Sequence, residues 1–234
     1  MFRSPFRSPC RSLVVLALLV TSLPANALKN AAPAGVSLEG HWQVNTAQSD
    51  DGEAMLAQRR EEQMKRMRKE EERHRRRMRN DPFAWEPEFT QPERTPQRIA
   101  AMEERERRTR QMLGMTKFLN IEQDERGTKL TITSEYETRR LEAGSRSQVS
   151  LPQGQLADSQ TGWDGEWFVI DRDADDGPRI TEKYRLLKKS DQLETLVTIR
   201  GESMLAGMKL RRVFDRAPAE ARASTSAEIV GPVR

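Results

Sequence analysis

Four carboxylates in the stretch "DRDADDGPRITE" stand where a calcium-binding loop would want them. Asp171, Asp173 and Asp175 occupy its first, third and fifth places and Glu182 its twelfth. Such oxygen ligands could wrap a divalent cation if the chain turned sharply at the sixth place. That place is Asp176 rather than glycine, Pro178 follows, and strand-like residues flank the run. The stretch therefore reads as an acidic hairpin turn and only a weak metal candidate, with Glu182 sharing strand parity with Tyr184. For acid–base or nucleophilic chemistry there are two histidines beyond the first 27 residues. His41 is outward by parity and His74 sits in a charged segment, and neither has a nucleophile or metal partner nearby in sequence. No dyad, triad or metal cluster can be spelled out, so the reading is of a non-enzyme without a cofactor.

The second chemically pointed stretch is "QRREEQMKRMRKEEERHRRRMR", positions 58–79, with eleven Lys or Arg against five Glu. Its acids and bases sit at helical spacing. Glu61 with Lys65, Glu62 with Arg66, Glu71 with Arg75 and Glu72 with Arg76 are i,i+4 pairs in the favourable order, each contributing about 0.2–0.5 kcal/mol. A helix from Glu53 to about Arg79 can thus stand in water, carrying a thin apolar line of Met64, Met67 and Met78 with His74 between. These four are candidate partner contacts. The proline-rich run through Pro82, Pro87, Pro92 and Pro96 breaks the helix, and a second one is expected from Gln97 to Leu113, ended by Gly114.

The chain's start says where these elements work. Three arginines (Arg3, Arg7, Arg11), the apolar run Leu13 to Leu23, and small residues at Ala25 and Ala27 form the pattern of a secretory signal peptide cleaved after Ala27. Residues 1–27 are read as that signal, with an exported product, periplasmic or, where there is no outer membrane, secreted, and no transmembrane segment left after cleavage. The formal charge of +4 falls to +1 when the three arginines leave, so the remainder has no global attraction for polyanions. Cys10, the single cysteine, leaves too. An exported arm with interleaved Glu and no stacking aromatics is not expected to meet nucleic acid.

The elements that must position these residues are mainly strands. In "LEGHWQV" Leu38, Gly40, Trp42 and Val44 alternate with polar neighbours, and after Gly114 the runs "FLNIEQ", "KLTITSEYETRRL", "EWFVIDR", "RITEKYRLL", "QLETLVTIR" and "MKLRRVFDR" alternate likewise. About seven to nine strands joined by short turns predict an antiparallel up-and-down barrel, or a sandwich, with a two-helix charged insertion between the first and second strands. The expected organisation is a flexible leader at 28–37, a β domain at 38–216 holding a helical insertion at 53–113, and a disordered tail at 217–234. On the last strand Leu210, Arg212 and Phe214 share the inward face, and an inward arginine needs an aromatic or an acceptor. Trp42 is the expected partner of Arg212.

A G-x-W on the first strand (Gly40, His41, Trp42) with an arginine of the last strand across the Trp resembles the signature of lipocalins. That resemblance implies a barrel with residues 45–116 in the place of the large loop overhanging its mouth. The chain is also similar to a group of exported bacterial proteins through "G-x-W-x-x-N-x-x-x-S" (Gly40 to Ser49), a Met- and Arg-rich insertion, Trp163 to Ile170, Ile180 to Leu186, Gln192–Leu193 and Arg211 to Asp215. The similarity implies an exported lipocalin-like β domain and no reaction.

Two functions stay open on the sequence. In one, the barrel holds a small apolar or amphipathic ligand under a helical lid, with Trp42, Arg212, Phe214 and Tyr184 as ligand-binding or barrel-closing residues. In the other, the charged arm docks on a cell-envelope protein or an anionic surface while the β domain serves as scaffold.

Overall fold

A computed structural model describes residues 27–79, 95–151, 154–175, 177–201 and 204–217. The expected signal at 1–27, but for Ala27, and the expected tail at 217–234, but for Ala217, lie outside the described residues. Ten strands and two helices follow in the order β1 (Gly40–Val44), α1 (Gly52–Arg79), α2 (Pro96–Met112), β2 (Phe118–Gln123), β3 (Lys129–Thr133), β4 (Thr138–Glu142), β5 (Arg146–Ser150), β6 (Leu156–Asp164), β7 (Trp167–Asp173), β8 (Pro178–Leu187), β9 (Gln192–Gly201) and β10 (Lys209–Arg216). All strands belong to one antiparallel sheet in the order β4-β3-β2-β1-β10-β9-β8-β7-β6-β5. It is the expected up-and-down architecture with the two-helix insertion after β1, built as a curled half-barrel.

First and last strands pair, which joins the two halves of the meander: Trp42 lies opposite Arg216 and Val44 opposite Phe214. The edges are β4 and β5, which share no ladder. Their connecting turn is tied to β6, where the Gly144 amide donates to the Thr161 carbonyl at 2.8 Å and the Thr161 amide to that of Ser145 at 3.1 Å. Two expected single features divide here. The run "KLTITSEYETRRL" is two strands, folded back at 134–137, and β5 and β6 were absent from the strand pattern, so the count is ten rather than seven to nine.

The interior holds two apolar clusters. One gathers Leu38, Trp42, Ile121, Ile132, Trp163, Phe168, Leu193 and Phe214, and the other Leu56, Met112, Leu113, Ile180, Ile199, Met208 and Leu210. In the first, the Trp163 and Phe168 rings meet edge to face at 5.3 Å, and the Trp163 indole N–H donates to the Gly127 carbonyl at 2.8 Å. The segment 28–37, expected as a flexible leader, is instead laid against this end. Lys29 exchanges two main-chain hydrogen bonds of 2.9 Å with Trp163, the Ala32 amide donates to Arg126 O at 3.0 Å, and Val36 is buried. Small residues there are a packing requirement: a side chain at Gly127 would strike Ala32.

Asn45 and Ser49 of the sequence motif turn the chain out of β1. Asn45 Nδ2 donates to Asp215 Oδ2 at 2.9 Å, and Ser49 Oγ accepts the Val213 amide at 3.0 Å. Asp51 then caps α1 by accepting the Ala54 amide at 3.0 Å, and Thr95 with Pro96 starts α2. Gly114, at φ 63°, closes α2 with its amide on Gln111 O at 3.0 Å.

The arginine over the first-strand tryptophan is Arg216, not Arg212. The Arg216 guanidinium lies 4.3 Å from the Trp42 ring, donates to Asp191 at 2.7 and 2.9 Å, and reaches Glu39 O at 3.1 Å. Arg212 is inward as expected, but its guanidinium sits 5.2 Å over Phe214 and donates to Gly114 O at 2.9 Å. Both arginines share parity, and the β1–β10 register puts the later one opposite Trp42. Gly40, at φ 152°, is the position this seal requires, because a Cβ there would overlap Arg216 Nη1. Gly40→Ala should therefore lower unfolding free energy by about 1–3 kcal/mol, read from the urea midpoint. An unchanged midpoint would show that Arg216 moves aside freely.

Candidate functional site

Along β8 the inward residues run Ile180, Glu182, Tyr184, so a carboxylate is set between the two apolar clusters. Glu182 is 2% exposed. A buried carboxylate needs charge and hydrogen bonds around it, and two arginines supply them. Arg139 from β4 forms a bidentate pair, Nη1 to Oε1 and Nη2 to Oε2, both 3.0 Å. Arg172 from β7 donates through Nη2 to Oε1. The Tyr184 hydroxyl donates to Glu182 Oε2 at 2.6 Å and accepts from Arg139 Nη2 at 2.9 Å.

The two arginines are not equivalent. Burial opposes the Arg139 charge, but Tyr184 and Glu137 beside it leave its pKa raised, with Glu137 Oε1 3.3 Å from Nε. Arg172 pairs with Glu182, but burial, with Arg139 as a like-charged neighbour, outweighs the pull of Tyr184 and Glu137 and lowers its pKa to about 10. It stays charged at neutral pH. The Nε atoms of both arginines are buried without a hydrogen-bond partner among the described residues.

Next to this set lies a cavity of about 20 Å³, lined by Arg139, Glu182 and Tyr184 on one side and by Gln111, Gly114 and Thr116 at the foot of α2 on the other. It has room for about one water, where a small-molecule pocket takes roughly 300 Å³ or more. The rest of the space under the helices is filled by their own root. Leu56, Met112 and Leu113 are 2%, 1% and 0% exposed and pack with Val197, Ile199 and Leu210. Tyr136 and Arg212 tether that root through the Met115 and Gly114 carbonyls, at 3.1 and 2.9 Å.

Beyond the root the insertion stands clear of the sheet. Ion pairs join the helices at Arg110–Glu53 (2.6 Å) and Arg60–Glu106 (3.2 Å). Three of the four expected i,i+4 pairs form, at 2.7, 2.8 and 2.6 Å from Glu61, Glu71 and Glu72, while Glu62 turns back to Arg59 at 3.7 Å. Past Glu62 every described side chain of α1 is exposed. Met64, Met67 and His74 are therefore not seated on anything among the described residues; the Met78 side chain lies outside them.

The acidic turn does not converge. Asp171 faces outward, accepting from Arg179 Nε at 3.3 Å and Thr181 Oγ1 at 2.8 Å, while Glu182 points to the opposite, inner face. Asp173 lies 3.5 Å from Arg179 and Asp175 is exposed. Among the described residues no group of three or more His, Cys, Asp or Glu could hold a metal ion.

The structure thus joins Tyr184 to Glu182, seals Trp42 with Arg216 rather than Arg212, and packs Phe214 under Arg212. Arg139 and Arg172 were missed, although each shares inward parity with an apolar neighbour, Leu141 and Ile170.

No family model matches the sequence, and no curated protein matches it either. Among solved structures, apo lipid binding protein 8 from Caenorhabditis elegans aligns at 13% identity and TM-score 0.41, covering 79% of this chain and 100% of that one. Human cRBP IV aligns at 15% identity and TM-score 0.41, covering 79% and 100%. Fatty-acid-binding protein 1 from Echinococcus granulosus aligns at 12% identity and TM-score 0.40, covering 77% and 98%. The class is defined by the chain's own strand order: a lipocalin-like, ten-stranded antiparallel curled sheet with a helical insertion after its first strand.

Proposed function

We propose that this chain is an exported, non-enzymatic binding protein whose curled sheet takes a small apolar or amphipathic ligand in exchange for the root of its helical lid. The observation that carries the reading is the root itself. Leu56, Met112 and Leu113 occupy apolar space beside a buried Arg–Glu–Tyr set, yet they belong to an insertion otherwise clear of the sheet. Lifting the three costs on the order of 5–9 kcal/mol, which a ligand refilling the same surface would offset. A polar headgroup would meet Arg139 and Tyr184, and an apolar chain the cluster around Ile199 and Leu210. For export, the support is the basic, apolar and Ala25–Ala27 pattern of the first residues, together with a main chain that joins the sheet at Lys29.

Titration with a fluorescent long-chain fatty acid tests the barrel. Leu56→Ala or Leu113→Ala loosens the root and should tighten binding by about tenfold or more, and native mass spectrometry of protein from its own compartment should carry extra mass. No probe bound by either variant, with both folded by circular dichroism, removes this reading.

A second reading, in which the arm is itself a contact surface, is favoured by one observation. Met64, Met67, Ile99 and Met102 are 51%, 56%, 45% and 65% exposed on helices that a mere lid would not need.

A further inference from the structure

We propose that the free part of the α1–α2 hairpin is a docking surface for an anionic lipid bilayer, an inference that rests on the second reading above and names its partner. The root ion pairs Glu53–Arg110 and Arg60–Glu106 set an antiparallel register between the helices. Continued outward, that register places Met64 opposite Met102 and Met67 opposite Ile99. By the 3.6-residue repeat, Glu53, Arg60, Met64 and Met67 line one side of α1, and Arg110, Glu106, Met102 and Ile99 one side of α2. All four apolar residues nevertheless stay about half exposed, so the helices diverge and the seam between them is not closed.

The charge around the open seam says what covers it. Arg66, Arg68, Lys69, Arg73, Arg77 and Arg79 of α1 have no carboxylate partner among the described residues, and α2 carries five arginines against three glutamates. A second copy would bring the same positive excess and be repelled. An anionic bilayer complements it. Flexible thioethers and an isoleucine fit the acyl boundary, while the long basic stems reach the headgroups. No described helix is long and apolar enough to cross a membrane, so the contact is a surface one.

Flotation of the purified chain with vesicles of phosphatidylglycerol and phosphatidylcholine in equal parts, against phosphatidylcholine alone, tests this. Binding is expected only to the anionic vesicles. Each base neutralised weakens binding about fivefold, so Arg68→Glu/Arg73→Glu/Arg77→Glu should lose about a hundredfold or more. Met64→Ser/Met67→Ser/Met102→Ser should bind more weakly than the parent chain. These residues are exposed, so urea midpoints should not move. No flotation, equal binding to both vesicle types, or serine variants that bind as well as the parent overturns the proposal. So does a dimer in light scattering that the serine variant abolishes. A photo-crosslinker at position 67 separates this inference from the reading beneath it. Adducts on lipid support the bilayer; adducts confined to one envelope protein, without flotation, overturn the bilayer and leave arm docking standing; no adduct at all removes both.

Discussion

Glu182→Gln is expected to remove about 3–5 kcal/mol of stability, because it takes the full negative charge from between two buried guanidiniums. The pair is bidentate with Arg139, and Glu182 is the single salt-bridge partner of Arg172 among the described residues. A glutamine offers one carbonyl and an NH₂ whose donors would face other donors. Burial, with Arg139 beside it, already lowers Arg172 to about 10, and Glu182→Gln takes away the carboxylate that it pairs with. The cost should fall if a guanidinium leaves with the carboxylate. Glu182→Leu/Arg172→Met retains one arginine with Glu137 at hand and should be less damaging than Glu182→Gln alone. Urea unfolding with an unchanged m-value measures both. A loss below about 1 kcal/mol for Glu182→Gln would mean that water screens the set, in conflict with its burial.

Trp42→Ala should cost about 3–5 kcal/mol. The side chain is 1% exposed, its indole N–H donates to Leu38 O at 3.0 Å, and Arg216 covers its face at 4.3 Å. Alanine would leave a cavity where β1, β2 and β10 meet, the junction that joins the two halves of the meander. Trp42→Phe keeps most of the contact surface but loses the N–H bond, so its loss should be clearly smaller. Combining Trp42→Ala with Arg216→Ala isolates the stacking. Arg216 is partly exposed, so the coupling energy should be about 0.5–1 kcal/mol. Additive effects would show that Arg216 acts through Asp191 and the Glu39 carbonyl rather than through the ring.

The same junction shows how far sequence reasoning reaches. Alternation in "LEGHWQV" and "KLRRVFDR" correctly assigned the inner faces of β1 and β10, since side-chain period is a local property. Which arginine covers Trp42 depends on the register between strands 170 residues apart, and alternation in either strand is blind to that. Helix bounds were legible to within a residue or so because Asp51, Thr95, Pro96 and Gly114 are local stop and start signals. β5 and β6 were not. Their inner face carries Ala157, Ser159 and Thr161, small or polar residues that fill a crowded corner without making an apolar stripe. The buried arginines failed for the opposite reason: Arg139 and Arg172 are outward residue types placed inward to satisfy one carboxylate. The partly filled interior could not be read at all, because whether a lid covers a void or fills it depends on how deep Leu56 and Leu113 sit.

That depth has a mechanical meaning. α1 is about 42 Å long from its 28 residues, and among the described residues its first turns are the part that packs on the sheet. A stiff rod clamped at one end is a lever, and its fulcrum here lies beside Glu53, Leu56 and Arg60. A small lateral force at the tip arrives at the fulcrum multiplied by the ratio of the arms, where it bears on the very side chains that stopper the sheet. If the root gives way to a ligand and the arm docks as proposed above, load on the arm and vacancy of the interior are coupled in series: what the tip rests against sets the torque on the stopper.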